Sequence, residues 1–350
     1  MKASRRPLPK AAVPASERAL VAAIDDYRAG RLERAATACR TLLRRDDGNA
    51  AAQQLLAVVL LQQGELAAGR IHIERSLVLR PDHLASLLIA GRAARAADDR
   101  AAALAHVERA VALAPDAEEP AYLRGSLLRE LGDPRATAVL RALVARHQRH
   151  AQGWCALGEA LKDAGDLPAA LAAFEQAAAI DPRLAKAPFH RAVTLHAAER
   201  FAEAADSFRM AQSLAPDAAE IAFNLALTLL RLGTKDAAAQ AFERTVALQP
   251  SHVEAWFSLG LVRQDLNDLA GAAQAFNAVL AARPEHAEAA VNLGIVLQAQ
   301  GTMEAAMTAY AEAVRRRPET FGPVVQALCG ASTGRLWLDP AALRRSLARR

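Results

Sequence analysis

A period of 34 residues constrains this chain more than any other feature of its sequence. The segment GDLPAALAAFEQAAAIDP at 165–182 returns as GTKDAAAQAFERTVALQP at 233–250 and as GTMEAAMTAYAEAVRRRP at 301–318. Its first position recurs at intervals of 34 residues, with a single interval of 33, at Gly30, Gly64, Asp98, Gly132, Gly165, Glu199, Gly233, Asn267 and Gly301. Such regular spacing is typical of stacked helix–turn–helix units.

Residue types at fixed positions of each unit indicate two helices that cross closely. If units begin at 16, 50, 84, 118, 151, 185, 219, 253 and 287, position 8 is always Ala or Gly, and position 20 is nearly always small. Position 24 carries a larger residue in most units, often Phe. Position 15, often Gly, is predicted to end the first helix. Pro at position 32 is predicted to end the second helix, because its ring blocks further helical hydrogen bonds.

The clearest units begin their first helices with WCALGEAL at 154–161 and WFSLGLVR at 256–263. Each is followed by Ala, Phe and Pro, at 170, 174 and 182 and at 272, 276 and 284. This pattern resembles the tetratricopeptide repeat family over about residues 16–320. The resemblance implies an all-α, right-handed superhelical solenoid of about nine repeats. It also implies a scaffold whose first helices line a concave groove that binds extended peptides or partner helices.

The predicted groove is richest in apolar residues in the C-terminal half of the chain. Helical geometry puts positions 5, 6 and 9 of the first helix opposite the face that carries the repeat signature. Phenyl rings at position 5 are predicted to take apolar side chains, and Asn at position 6 to bond a ligand's backbone amides. Alternatively, the apolar residues only pack between neighbouring first helices. The predicted peptide-binding residues are Phe189, His190, Val193, Phe223, Asn224, Leu227, Phe257, Ser258, Leu261, Val291, Asn292 and Ile295.

The sequence does not identify the partner. The best-known peptide clamp of the family needs Asn at position 9 and basic residues at positions 2, 5 and 6. Here position 9 never holds Asn, and only Lys186 fills one of those basic positions, so an acidic chaperone tail is a doubtful ligand. A protein or peptide partner in the groove is the first prediction. A scaffold that self-assembles or docks through its ends and convex face is the second, and an accessory that presents substrates to a separate transferase is the third.

Charge, hydropathy and cysteine content limit the kinds of partner and compartment that we expect. The eight basic residues of 1–15 and 340–350 have no acid among them, so a net charge of −3 remains for residues 16–339. We therefore expect no nucleic-acid groove. No apolar run is long enough for a membrane span. The three cysteines are isolated and lack metal-ligand spacing, which indicates a reducing, cytoplasmic compartment.

No catalytic constellation is visible, so we expect neither enzyme activity nor a cofactor. There is no Gly-rich phosphate loop and no Gly-x-Ser-x-Gly turn. His147 and His150 are three residues apart, but no acid or thiol is close to them in sequence, and flanking arginines disfavour a bound cation. A metal site is not expected there.

Three parts of the chain depart from the regular pattern. The fourth repeat is one residue short and lacks both the aromatic residue of its second helix and the final Pro, which indicates an irregular seam or else a hinge or partner site. Arg124 and Arg191 replace an apolar residue at position 7 and are predicted to pack by their stems. Residues 1–15 are predicted to be a disordered basic tail. Residues 321–350 are predicted to be capping helices, with a basic docking tail as the alternative.

Overall fold

A computed structural model describes residues 15–330 and 340–349 of the chain. In these two ranges all regular structure is helical, which confirms the predicted all-α class. Residues 1–14 of the predicted basic tail, and Asp339 of the C-terminal segment, lie outside the described residues.

The helices follow the predicted repeat. The first helices are Ala15–Arg28 (α1), Ala50–Gln62 (α3), Leu84–Ala96 (α5), Glu118–Glu130 (α7), Ala151–Asp163 (α9), Lys186–Ala197 (α11), Ala219–Arg231 (α13), Val253–Asp265 (α15) and Ala287–Ala299 (α17). The second helices are Leu32–Arg45 (α2), Leu66–Leu79 (α4), Arg100–Leu113 (α6), Arg135–Arg146 (α8), Leu167–Ile180 (α10), Phe201–Leu214 (α12), Lys235–Leu248 (α14), Leu269–Ala282 (α16) and Met303–Arg316 (α18). A short 3₁₀ turn at Pro318–Thr320 leads into Phe321–Gly330 (α19), and Pro340–Ala348 (α20) is the last helix described.

The chain divides into two compact units. Unit 1 is Met1–Ala160 and unit 2 is Leu161–Arg350, so the division falls inside α9. Each unit has hydrophobic clusters of its own. Cys39, Leu56 and Leu60 belong to one in unit 1, and Phe208, Leu225 and Phe242 belong to one in unit 2.

Every turn between the two helices of a repeat uses the same backbone conformation. The residue at position 15 has a positive φ in all nine repeats, including the non-glycine residues Asp98 (61°), Glu199 (59°) and Asn267 (61°). The next amide then donates to a carbonyl in the last turn of the first helix, as Glu65 does to Leu60 at 2.9 Å. This is the hydrogen bond of a Schellman cap. The structure therefore confirms that position 15 ends the first helix.

Close helix crossing at position 8 depends on a small residue that faces the large one at position 24. A Cβ atom added to Gly260 would lie 2.6 Å from Cε1 of Phe276, a distance that real contacts do not reach. Phe276 itself is fully buried, as are its equivalents Phe174, Phe208 and Phe242. Gly294 faces Tyr310 in the same way in the ninth repeat, and close packing of this kind tolerates few changes of volume.

The one-residue deletion of the fourth repeat falls at the start of its second helix. Its second helix, α8, has 12 residues, whereas its equivalents have 14. Counting from the repeat start assigns position 20 to Thr137, but Ala136 is the buried residue, and Leu140 takes the place of the aromatic residue, against Gly125. The alignment that spacing predicts for this helix is therefore wrong by one residue, because a constant period cannot locate a deletion inside a unit.

The C-terminal segment covers the end of unit 2. Val324 and Leu328 of α19, and Leu343 and Leu347 of α20, are buried in one cluster with residues of α18 such as Met307. Packing of this kind shields the apolar face that the last repeat of an array would otherwise expose.

Candidate functional site

The three phenyl rings predicted at position 5 are held in one geometry. Phe189, Phe223 and Phe257 each contact the buried Phe of the second helix in the same repeat, with 5.9 Å between ring centroids and nearly the same angle between ring planes. Edge-to-face contact of this kind is favourable beyond the area that it buries. All three rings are half-buried. One part of each ring packs against a core cluster, and the other part faces solvent.

Histidines from the following repeat complete the surroundings of two rings. His252 lies 4.5 Å from Phe223 and His286 lies 4.9 Å from Phe257, centroid to centroid. Each imidazole also accepts a hydrogen bond through Nδ1 from a backbone N–H in the first turn of α15 or α17, at 3.2 and 3.1 Å. These two histidines are helix N-caps, and sequence analysis missed them. The available signal was a His directly before four of the nine repeat starts.

The predicted apolar residues at position 9 differ in exposure. Val193, Leu227 and Ile295 are half-buried, whereas 38% of Leu261 is exposed. Val291 replaces Phe at position 5 in the last repeat and is only 8% exposed, within the core cluster of the C-terminal end. The apolar surface therefore centres on the sixth, seventh and eighth repeats, and Val291 adds little to it.

The predicted polar residues at position 6 are not equivalent. Asn224 Nδ2 donates to Glu220 O at 2.8 Å within the same helix, so one face of this amide is already occupied. Ser258 and Asn292 are half-buried and have no hydrogen-bond partner among the residues that the structure describes. His190 lies between two rings, 5.2 Å from Phe189 and 5.9 Å from Phe174.

A further histidine lies at position 12 of α11, a first helix of unit 2. His196 Nδ1 is 2.9 Å from Thr228 Oγ1, which itself donates to Asn224 O, so the imidazole is the donor in this pair. Burial lowers the pKa of His196 from its ordinary value, and the nearby Arg231 lowers it further. Arg231 in turn stacks over Phe201, 4.5 Å from the ring centroid. The folded protein therefore favours neutral His196.

One histidine at which we expect no metal site has a structural role. His150 accepts a hydrogen bond from the Gly153 amide at 2.6 Å and so caps α9, and its ring lies 5.2 Å from Tyr122. The two unusual arginines at position 7 are half-buried, and each approaches a glutamate of the preceding repeat. Arg191 reaches Glu175 and Arg124 reaches Glu108.

No helix in the described part of the chain is long and apolar enough to cross a membrane. No curated protein matches this sequence. Among solved structures, the chain is similar to a tetratricopeptide repeat protein from Parabacteroides merdae, with 17% identity and a TM-score of 0.60, covering 71% of this chain and 98% of that one. It is also similar to PilW, a type IV pilus biogenesis factor, with 19% identity and a TM-score of 0.53, covering 57% of this chain and 94% of that one. At these identities the likeness concerns the fold alone.

A family model described as tetratricopeptide repeat matches six stretches of the sequence, of which the last five overlap. They cover residues 20–83, 122–185, 155–219, 189–253, 223–280 and 257–319. Together these stretches include most of the chain, and their spacing is that of the helix pairs described above. The chain belongs to the tetratricopeptide repeat family.

Proposed function

We propose that the chain is a non-enzymatic scaffold that binds an extended apolar peptide segment of a protein partner on the first helices of unit 2. We call this the first-helix surface, and it consists of the exposed parts of Phe189, Phe223, Phe257, Leu261, Ser258 and Asn292. The supporting observation is that three rings share one repeat position, each fixed by a buried ring behind it and each still partly exposed. Family membership supports a protein partner in general, since these repeats commonly serve as interaction scaffolds.

The rings and polar groups suit different parts of a peptide. Rings that are already ordered lose little side-chain entropy on binding, so they form rigid contacts for apolar side chains. Ser258 and Asn292 lie beside the ring row and offer a hydroxyl and an amide that the described fold does not use. Such groups can replace the hydration that a peptide backbone loses at an interface.

The test is selection of peptides from a random display library on the full chain, followed by affinity measurements with two matched variants. Leu261 and Met210 are both exposed apolar residues of unit 2, with 38% and 57% of their surface exposed. Leu261 belongs to a first helix and Met210 to a second helix. We expect Leu261→Asp to weaken binding roughly tenfold or more, as at interface hot spots, and Met210→Asp to leave binding unchanged. Equal losses in both variants, or a loss only with Met210→Asp, would contradict the proposal.

The two asparagines give a second comparison with the same peptides. Asn292→Ala is expected to weaken binding by about 1–3 kcal/mol, which is the cost of leaving a buried partner group unpaired. Asn224→Ala is expected to have the smaller effect because its Nδ2 already donates to Glu220 O. The reverse order would show that position 6 does not contact the peptide backbone in the proposed way.

A further inference from the structure

Arg124 in the fourth repeat has a buried donor without a hydrogen bond. Its Nε atom makes only an ion pair in the described structure, with a carboxylate oxygen of Glu108 that is 3.5 Å away. The equivalent residue two repeats later is Arg191. It donates to Glu175 from two nitrogens, at 3.1 and 3.2 Å, and to Ser207 Oγ at 2.5 Å.

One of these hydrogen bonds has no counterpart in the fourth repeat because of a residue of the second helix. When the one-residue deletion is taken into account, Val139 occupies the place that Ser207 has in the sixth repeat. A valine offers no acceptor, so Arg124 has no equivalent of the bond from Arg191 Nη1 to Ser207 Oγ. A polar group without a hydrogen bond is costly when it is buried. Because 30% of the Arg124 side chain is exposed, its guanidinium can donate to an incoming acceptor.

An apolar notch adjoins Arg124 between α6, α7 and α8. Its volume is about 340 Å³, within the range of ligand pockets. Val111, Val139 and Leu143 contribute to its apolar lining. The charged or titratable groups on the lining are Arg124, Arg146 and His147, and no carboxylate lines it. All of these residues belong to unit 1.

The rest of α8 and the loop after it are also basic. Residues 134–150 contain no Asp or Glu. Arg135 is paired with Asp133 at 2.7 Å, and Arg146 with the exposed Asp116. Arg141 and Arg149 are exposed and have no ion-pair partner in the described ranges. The notch therefore lies beside a surface with unmatched positive charge, which attracts acidic partners.

From this combination we infer that the notch, lined by Val111, Val139, Leu143, Arg124, Arg146 and His147, binds an acidic linear segment of a protein partner. An apolar side chain of that segment enters the notch, and a neighbouring carboxylate accepts a hydrogen bond from Arg124. Arg141 of α8 and Arg149 of the loop after it add charge attraction. This site lies in unit 1 and is independent of the first-helix surface proposed in unit 2.

The probe is a fluorescently labelled peptide of Glu and Asp residues with a central Leu–Phe pair, titrated with the full chain. Two comparison peptides carry Ser–Ser in the centre or Lys in place of every acid. We expect the acidic Leu–Phe peptide to bind more tightly than either, and its affinity to fall with added salt. No measurable binding of this peptide, or equal binding of the Lys peptide, would overturn the inference.

Two variants separate the notch from general charge effects. Arg124→Leu restores the residue found at position 7 in the seventh and eighth repeats, and we expect it to lower affinity about tenfold, as for loss of a charge-assisted hydrogen bond. Ala142→Phe fills the notch without changing charge and is expected to give a similar loss.

The matched control is Arg191→Leu, because Arg191 is already satisfied by Glu175 and Ser207. We expect this change to leave the affinity unchanged. Thermal melting of each variant shows whether the fold is retained. If Arg124→Leu and Arg191→Leu weaken binding equally, or if Arg124→Leu instead changes the oligomeric state, the notch is not a site for an acidic peptide.

Discussion

Glu199 shows how strongly the repeat turn constrains a single residue. It holds a φ of 59°, a region that L-residues other than Asn and Asp rarely adopt, at a position where six of the eight equivalent residues are Gly. Its side chain is exposed and has no partner among the described residues. Nothing in its side chain therefore offsets the backbone strain.

Replacing Glu199 by Gly should stabilise the protein. The left-handed conformation costs a non-glycine residue about 1–2 kcal/mol, and Gly removes this cost. Gly also has more conformational freedom in the unfolded chain, which offsets part of the stabilisation. We expect a net increase of roughly 0.5–1 kcal/mol in the free energy of unfolding, measured by urea denaturation. Gly233→Ala, at the same position with a φ of 76°, is the control and should destabilise. Destabilisation by Glu199→Gly would show that the turn is not strained.

His196 predicts a pH dependence with a definite sign. Burial and Arg231 lower its pKa in the folded state below the ordinary value of 6.5, so the unfolded chain binds a proton first as the pH falls. The contribution of neutral His196 is therefore present above about pH 6.5 and is lost as the pH falls toward the lowered folded pKa. Urea denaturation between pH 7.5 and pH 5 should show less loss of stability in His196→Gln than in the unchanged chain. An identical slope would contradict this assignment.

At the scale of the helix, Tyr310 shows how the last repeat is adapted to its neighbour. It replaces the Phe of position 24, is fully buried, and donates from its hydroxyl to Gln298 Oε1 at 2.8 Å. Gln298 Nε2 in turn donates to Ala327 O of α19, at 3.4 Å. Burial raises the pKa of the Tyr310 hydroxyl, so it stays protonated as the donor. These two hydrogen bonds link α18, α17 and α19.

Tyr310→Phe should cost about 1–3 kcal/mol, because it removes a donor from a buried acceptor without changing the shape of the ring. The measurement is the free energy of unfolding together with hydrogen exchange of the α19 amides. Phe276→Tyr is the reverse control. Position 12 of its repeat holds Gln264, whose buried Oε1 has no hydrogen-bond partner among the described residues, so we expect the added hydroxyl to be tolerated. Unchanged stability and unchanged exchange in Tyr310→Phe would contradict the linking role.

Sequence periodicity predicts the helices well because the turn and crossing positions are local requirements. Position 15 needs a residue that tolerates a left-handed backbone conformation, and position 8 needs a small residue. Both requirements can be recognised in the sequence, because they restrict which residue types occur there. The site is harder to predict, since exposure of Phe223 depends on Phe242 and on His252 from the next repeat. A helical wheel places Phe223 on the correct face but does not contain these neighbours. The one-residue shift at Leu140 has a similar cause, because spacing counts residues and does not locate a deletion.

At the scale of the whole molecule, the two units carry different surface chemistry. Unit 2 has a row of rings with short polar groups, and unit 1 has an apolar notch beside an acid-free helix. Repeat arrays permit this because each repeat contacts mainly its neighbours, so one part can change its surface while the rest keeps its packing. The proposed functions therefore assign one kind of peptide to each unit.

Photo-crosslinking of a library-selected peptide to the full chain shows whether a peptide binds on the first-helix surface. A benzophenone amino acid is placed at Ser258 in one variant and at Met210 in another, so that a first helix and a second helix of unit 2 are compared. Binding on the first-helix surface predicts a crosslink from position 258 that excess unlabelled peptide suppresses, and little crosslinking from position 210. Competed crosslinking from position 210 and not from position 258 would contradict the claim.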